Sequence, residues 1–302
     1  MTSINRTSDY YREGVIDLFT EFTVCESLAH VRSPYMIVLE EKKSYGALVG
    51  AFLDRSGLLP EGCRVCEVGG GYGSLMHGFL GEFGLRVGHV VMADLSFYLL
   101  KRQREKLRPW SDRVSFLCGD VLELLPAFSG VDLFICNEMM GDLETWKDLD
   151  PDRLPGEVDR FVREYDLDIP LEGPFHFNLG ALSLVESLCR KGVPAFLTEH
   201  AADPVIPKDM DYLREGLARN GGPREIRLKG HSEFTIRFSH LIAVAEKWNR
   251  KVKTGSLLDL LYVKKTPGMR FIFKMRAQST DEQEILYEFL DHAREYRWLL
   301  IC

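Results

Sequence analysis

Polar side chains able to hold a nucleoside stand at successive points of this chain, each at the end of an apolar run. The first is CRVCEVGGGYGSL, residues 63–75, where Glu67 closes a strand-like run and Gly69, Gly71 and Gly73 follow at alternate positions. Glycines in a strand-to-helix turn let a ligand touch the backbone, because no Cβ holds it away. The second run, 88–93, closes on Asp94 and Leu95, with Asp94 placed 25 residues beyond Gly69. An acid at that distance can accept both hydroxyls of a ribose. A third, 113–118, ends in Gly119 and Asp120, where a carboxylate and the Val121 backbone suit the amino edge and ring nitrogen of adenine. A fourth, 130–136, leads to Asn137 and Glu138, and a fifth, 193–199, brings Glu199 and His200 to its end.

A dinucleotide site would want GxGxxG, but Ser74 stands at the sixth position from Gly69. The pattern is GxGxG with an acid two residues before it, which favours S-adenosylmethionine over NAD and leaves an NAD-dependent oxidoreductase the least favoured reading. Plainer readings exist for each residue. The glycines could be only a tight turn, Asp94 and Asp120 could cap the helices that follow, and Asn137 with Glu138 could open a solvated loop. Their arrival in order, each at a strand end, is what an open α/β sheet needs to build a ligand crevice.

The elements that must position these residues follow from periodicity. Residues 64–68 read as a buried strand and 74–83 as a helix. Segments 9–22 and 42–53 have helical spacing, with Tyr45, Leu48, Val49 and Phe52 on one stripe, and form a helical prelude. Helices are expected over 180–191, 241–249 and 280–296, and strands over 234–238 and 271–275. The stretch 142–172, broken by prolines, is too long for an ordinary loop and reads as a lid or substrate insert. The expected fold is α/β, a mostly parallel seven-stranded sheet with helices on both faces. Residues 1–60 form a helical cap, and 61–302 a cofactor-binding domain with an insert at 142–178.

At 302 residues, 45% hydrophobic and 27% charged, the chain can bury one substantial core plus an accessory element. The net charge of −7 argues against a nucleic-acid partner, which would require a basic face. That charge is local: 142–172 holds eleven acids and four bases, a net −7, and the rest sums to about zero. No apolar stretch reaches membrane-spanning length, so no membrane partner is expected. MTSINRTSDYYREG at the amino terminus has no apolar core and carries acids, so no targeting peptide is expected. Seven cysteines, an odd number with several inside apolar runs, suit a reducing cytoplasm. The pair Cys63 and Cys66 has no second CxxC or histidine pair to complete a zinc site, and no metal is expected.

The sequence also resembles the MidA-like methyltransferase family, which includes the mitochondrial complex I assembly factor thought to methylate a protein arginine. The resemblance lies in VVMADLSFYLLKRQREKL (90–107), CNEMMGDL (136–143), GHSEFTIRFSHLIAVAEKW (230–248) and KTGSLLDLL (253–261). It implies a class I methyltransferase, Rossmann-like fold, with S-adenosyl-L-methionine as cofactor. Two places depart from the family pattern. Gly141 and then Asp142 follow where the family shows Asp, and Glu199, His200, Ala201 replace its Asp-Tyr-Gly. EMMG at 138–141 also looks like the start of the paired-glutamate loop of protein arginine methyltransferases, with Glu144 as a second acid.

A sulfonium methyl is already activated, so the protein has to orient an acceptor and help it lose a proton. Glu138 is the first candidate for that proton, Asn137 an orienting group, and Glu199 with His200 a second pair. Glu67, Gly69, Gly71, Gly73, Asp94, Leu95, Asp120, Val121 and Asn137 are the candidate cofactor contacts. The expected activity is N-methylation of a cationic acceptor such as a protein arginine, which the acidic insert would attract. Alternatives are a cofactor-binding assembly factor without turnover and a small-molecule methyltransferase.

Overall fold

The computed structural model describes residues 2–14, 16–18, 22–217, 221–275 and 280–302. Seven strands build its main sheet: β1 Cys63–Val68, β2 Val87–Asp94, β3 Val114–Cys118, β4 Leu133–Asn137, β5 Ala195–His200, β6 Val252–Ser256 and β7 Tyr296–Ile301. Their order is β3-β2-β1-β4-β5-β7-β6. The first five strands run parallel, and β7 lies antiparallel to both β5 and β6. Order reverses between β1 and β4, where an open α/β sheet leaves a crevice beyond its strand ends. The antiparallel strand wedged between fifth and sixth separates this sheet from the 3-2-1-4-5-6 dinucleotide order. The α/β, mostly parallel seven-stranded architecture is as expected.

Strands buried on both sides read as continuous apolar runs, because successive side chains point to opposite faces. Val65, Met92, Ile135 and Phe196 enter one core layer, with helices Tyr45–Arg55, Ser74–Phe83 and Asp281–Ala293 packed over it. Cys66, Val68, Phe134 and Leu197 enter the other, beneath helices Leu179–Lys191 and Phe238–Lys247. Among the described residues no helix is long and apolar enough to cross a membrane.

Helix Tyr45–Arg55 starts at Ser44, whose hydroxyl accepts from the Ala47 amide at 3.4 Å. It meets helix Ser74–Phe83 closely: a Cβ on Gly46 would lie 1.9 Å from the Leu75 carbonyl oxygen. Gly46→Val should therefore push the two helices apart and cost about 3 kcal/mol, read as a lowered urea midpoint with unchanged slope.

Several expectations are corrected. The helix expected over 9–22 is Ser8–Glu13, stopped by Gly14 in extended conformation; positions 15 and 19–21 lie outside the described residues. The strand expected over 234–238 is Ser232–Phe234, paired with Glu225–Arg227 in a hairpin, and Phe238 opens the next helix. Residues 271–275 belong to helix Pro267–Met275, whose buried Met269 and Phe273 show helical spacing. The last expected helix ends at Ala293, and the apolar residues after it form β7.

The acidic stretch is not a free lid. Thr145–Leu149 is the middle strand of a small antiparallel sheet with Ser3–Asn5 and Phe175–Phe177. Helix Gly156–Glu164 buries Val158 and Phe161 in the second core layer, beside Tyr165, Phe175 and Phe177. The charges stand on its outer face, where Asp159 pairs with Arg163 and Glu164 with Arg160. A stretch with 11 acids folds in because its apolar positions recur at helical and strand periods.

Candidate active site

The three alternating glycines of the first loop share one backbone property. Gly69, Gly71 and Gly73 have φ of 66°, 51° and 80°, the left-handed region where a Cβ is strained. Their alternation is thus a requirement of the turn between β1 and helix Ser74–Phe83. The loop is tied to the next strand by the Gly69 amide, which donates to the Ala93 carbonyl at 2.8 Å.

Beyond the strand ends lies a cavity of about 540 Å³, within the range of small-molecule sites. Each parallel strand contributes to it: Glu67 from β1, Asp94 and Leu95 from β2, Asp120 and Val121 after β3, Asn137 and Glu138 from β4, Glu199 and His200 from β5. Gly69 and Gly71 line it too, whereas Gly73 sits outside, at the start of helix Ser74–Phe83. Tyr11, Leu18, Phe22 and Cys25 from the amino-terminal segment close another side.

Asp94 accepts from the Ser96 amide at 2.9 Å and from Gln103 Nε2 at 2.8 Å. Ser96, not Asp94, caps helix Phe97–Lys106, so the plain capping role falls to its neighbour. Burial pushes the Asp94 carboxyl up to about 6. Asp120 does cap, accepting from the Leu122 amide at 2.8 Å through Oδ1 while also facing the cavity. Gln103 was not foreseen. Fully buried, it also donates to the Gly71 carbonyl at 3.0 Å and so fastens Asp94 to the glycine loop. Its sequence signal was a polar residue on the buried stripe of Leu99 and Leu100.

Glu67 is only 1% exposed, and its Oε2 has no hydrogen-bond partner among the described residues. Burial first, then the neighbouring Asp94 and Glu26, drive its carboxyl well above the usual range. An orphaned buried acceptor is costly, and a cationic donor placed in the cavity would satisfy it. The wall is rich in acidic side chains: nine carboxyl groups line it against two arginines among the described residues, and burial makes Glu67 and Glu199 hold their protons more tightly than an ordinary glutamate. Only Asp142 and Glu144 of these acids belong to the 142–172 stretch, so the acidic stretch supplies few of them.

Asn137 Oδ1 accepts from Tyr45 Oη at 2.6 Å and from Thr198 Oγ1 at 2.5 Å, which leaves its amide to donate to Glu138 Oε2 at 3.2 Å. Tyr45 therefore lies beneath Asn137 and sets its orientation. Glu138 has φ of 49°, an uncommon conformation for a side-chain-bearing residue. Its carboxylate accepts from the Val24 and Cys25 amides at 2.7 and 3.0 Å, the first turn of helix Val24–Ser27. Burial raises its pKa against the lowering effect of these donors.

Glu199 Oε2 accepts from the Met140 and Gly141 amides at 2.8 and 3.1 Å, and Oε1 from the His200 amide at 2.9 Å. Its carboxyl is pushed up to about 8, chiefly by burial. His200 stacks on Tyr296 with centroids 5.1 Å apart and places Nε2 2.9 Å from Glu295. Glu199 thus braces the loop after β4, and His200 the start of β7. The departure at Gly141 has a steric reason: a Cβ there would lie 3.0 Å from the Phe234 carbonyl oxygen of the hairpin.

No protein-family model matches the chain, and no curated protein matches it. Solved structures do. One is an uncharacterized protein of the COG1565 superfamily from Burkholderia thailandensis, 17% identical, with TM-score 0.55, the match covering 99% of this chain and 87% of that one. The chain has its fold. A second COG1565 member from the same organism, a candidate methyl transferase with S-adenosyl-homocysteine bound, is 19% identical with TM-score 0.50, covering 89% of this chain and 75% of that one. The likeness is one of architecture.

Proposed function

We propose that this protein is an S-adenosyl-L-methionine-dependent methyltransferase of the MidA-like type, acting on nitrogen in a cationic acceptor such as a protein arginine. The observation that carries the reading is the placement of Asp94, held by Gln103, near a buried Glu67 whose Oε2 has no hydrogen-bond partner among the described residues, beside a glycine loop at the sheet's switch point. These residues fit the cofactor. Asp94 would take the ribose hydroxyls, Asp120 and the Val121 backbone the adenine edge, and Glu67 the amino acid end. When bound, the cofactor supplies a methyl group already activated on a sulfonium.

The protein's own part is to orient the acceptor, exclude water and accept a proton. Glu138 faces the cavity with a raised proton affinity, and Asn137 is held rigidly beside it. The excess of carboxylates supports a cationic acceptor, since a concave acidic wall concentrates positive ligands. Residues 1–60 act as a cap on the domain 61–302, supported by the amino-terminal side chains that line the cavity. The seven free cysteines suit a cytoplasmic setting. Replacing both Glu26 and Glu144 by Gln should raise KM for a basic peptide roughly three- to tenfold with little change in kcat, and weaken its salt dependence.

A second reading has one specific observation in its favour. The oxygens of Glu138 and Glu199 already accept from backbone amides, which suits a cofactor-binding assembly factor that does not turn over. Purified protein incubated with methyl-labelled cofactor and cell lysate separates the cases. Label in protein, at residues identified by their fourteen-dalton gain, supports the proposal. Label in small molecules moves the acceptor class, and no label with tight cofactor binding favours the assembly factor.

A further inference from the structure

We propose that Asp142, His231 and Glu233 form a site for one divalent transition-metal ion at the edge of the cavity. The three residues come from two elements that pack together. Asp142 ends the short turn Met140–Asp142, while His231 and Glu233 flank Ser232 on the hairpin, two residues apart and so on one side of it. The close packing of Gly141 on Phe234 brings turn and hairpin into register.

His231 Nε2 lies 3.5 Å from Asp142 Oδ1 and 3.6 Å from Glu233 Oε1, and one ligand atom from each residue falls within 4.8 Å of the others. Such separations are long for direct hydrogen bonds and close to those of ligands each about 2.0–2.2 Å from a shared ion. The histidine itself points to a ligand. Its side chain is 4% exposed, and neither ring nitrogen has a hydrogen-bond partner among the described residues. A buried imidazole left in that state is costly; an ion between the three groups would satisfy it.

The surroundings hold the ligands in place. Tyr10 stacks on the His231 ring at 4.2 Å, and Tyr11 Oη donates to Asp142 Oδ2 at 2.8 Å, the kind of support that orients a ligating carboxylate. One imidazole with two carboxylates suits zinc, manganese or iron better than calcium, which prefers an all-oxygen shell. Asp142 and Glu233 line the cavity and His231 does not, so the remaining coordination positions open toward the space where an acceptor would sit. This site stands apart from the cofactor contacts, and its existence does not depend on methyl transfer.

The full-length protein, stripped with a chelator and dialysed against zinc or manganese, should retain about one ion per chain by elemental mass spectrometry. His89→Gln, which alters a histidine of β2 away from the cavity, should behave as wild type. His231→Gln should weaken the ion at least about a hundredfold and Glu233→Gln about ten- to a hundredfold. Zinc should raise the Tm of wild type and leave that of His231→Gln unmoved. Calorimetric binding of S-adenosyl-homocysteine to each stripped variant checks that it is folded and reads the cofactor proposal separately. A wild-type protein that retains no ion, or a His231→Gln variant that binds as tightly, would overturn the site; neither result bears on cofactor binding.

Discussion

Asp94→Ala should lower the affinity for S-adenosyl-homocysteine at least about a hundredfold at pH 7.5, because two charge-assisted hydrogen bonds of about 1.5–3 kcal/mol each are lost together. Calorimetry reads the loss directly. The wild-type affinity should also depend on acidity in a defined window. Asp94 titrates at about 6 in the free protein, and a ribose is best held by the anion. Affinity is therefore flat above pH 6 and falls by up to tenfold per unit below it, while Asp94→Asn loses the bend. Stability moves the other way. The folded carboxyl titrates above its ordinary 3.8, so the folded state keeps a proton that the unfolded chain has released. The contribution is full below about 3.8 and is lost as pH rises to about 6. An affinity independent of both the substitution and pH would remove Asp94 from the cofactor site.

Glu138→Gln should cut methyl transfer by about a hundredfold or more while changing S-adenosyl-homocysteine affinity only a few-fold, the scale expected when a general base is disabled. The same change has a second, structural readout. Glutamine offers one acceptor where the carboxylate satisfies two amides, and its NH₂ group would confront Val24 or Cys25. Hydrogen exchange at those two amides should accelerate in step. Accelerated exchange with undiminished turnover would make Glu138 a tether for the amino-terminal segment and not a proton acceptor.

The sheet was legible where an apolar run ended abruptly in a polar residue, as at Glu67, Asp94, Asp120 and Asn137. Burial on both faces leaves no other use for such runs, and the crevice lies where they stop. Strands without that contrast escaped. Residues 252–256, VKTGS, are polar because they occupy the sheet edge, and 296–301 follow the last helix so closely that their apolar run merged with its stripe. Residues 271–275 form a short apolar run that reads as a strand, yet they belong to a helix that buries Met269 and Phe273, since short apolar runs fit both periods. Within the site, residue identity showed which groups could do chemistry but not whether they were already engaged. The amides of Val24 and Cys25 reach Glu138 from more than a hundred positions away, and the pairing of His231 with Asp142 arises only when the hairpin folds back on the turn.

The position of β7 shapes how the protein can be made. Translation delivers β6 first, but β6 touches the sheet only through β7. Until residues 296–301 have left the ribosome, β5 presents an open edge and β6 has no neighbour. Exposed strand edges invite pairing with other chains, so the nascent protein would benefit from chaperone shielding during that interval.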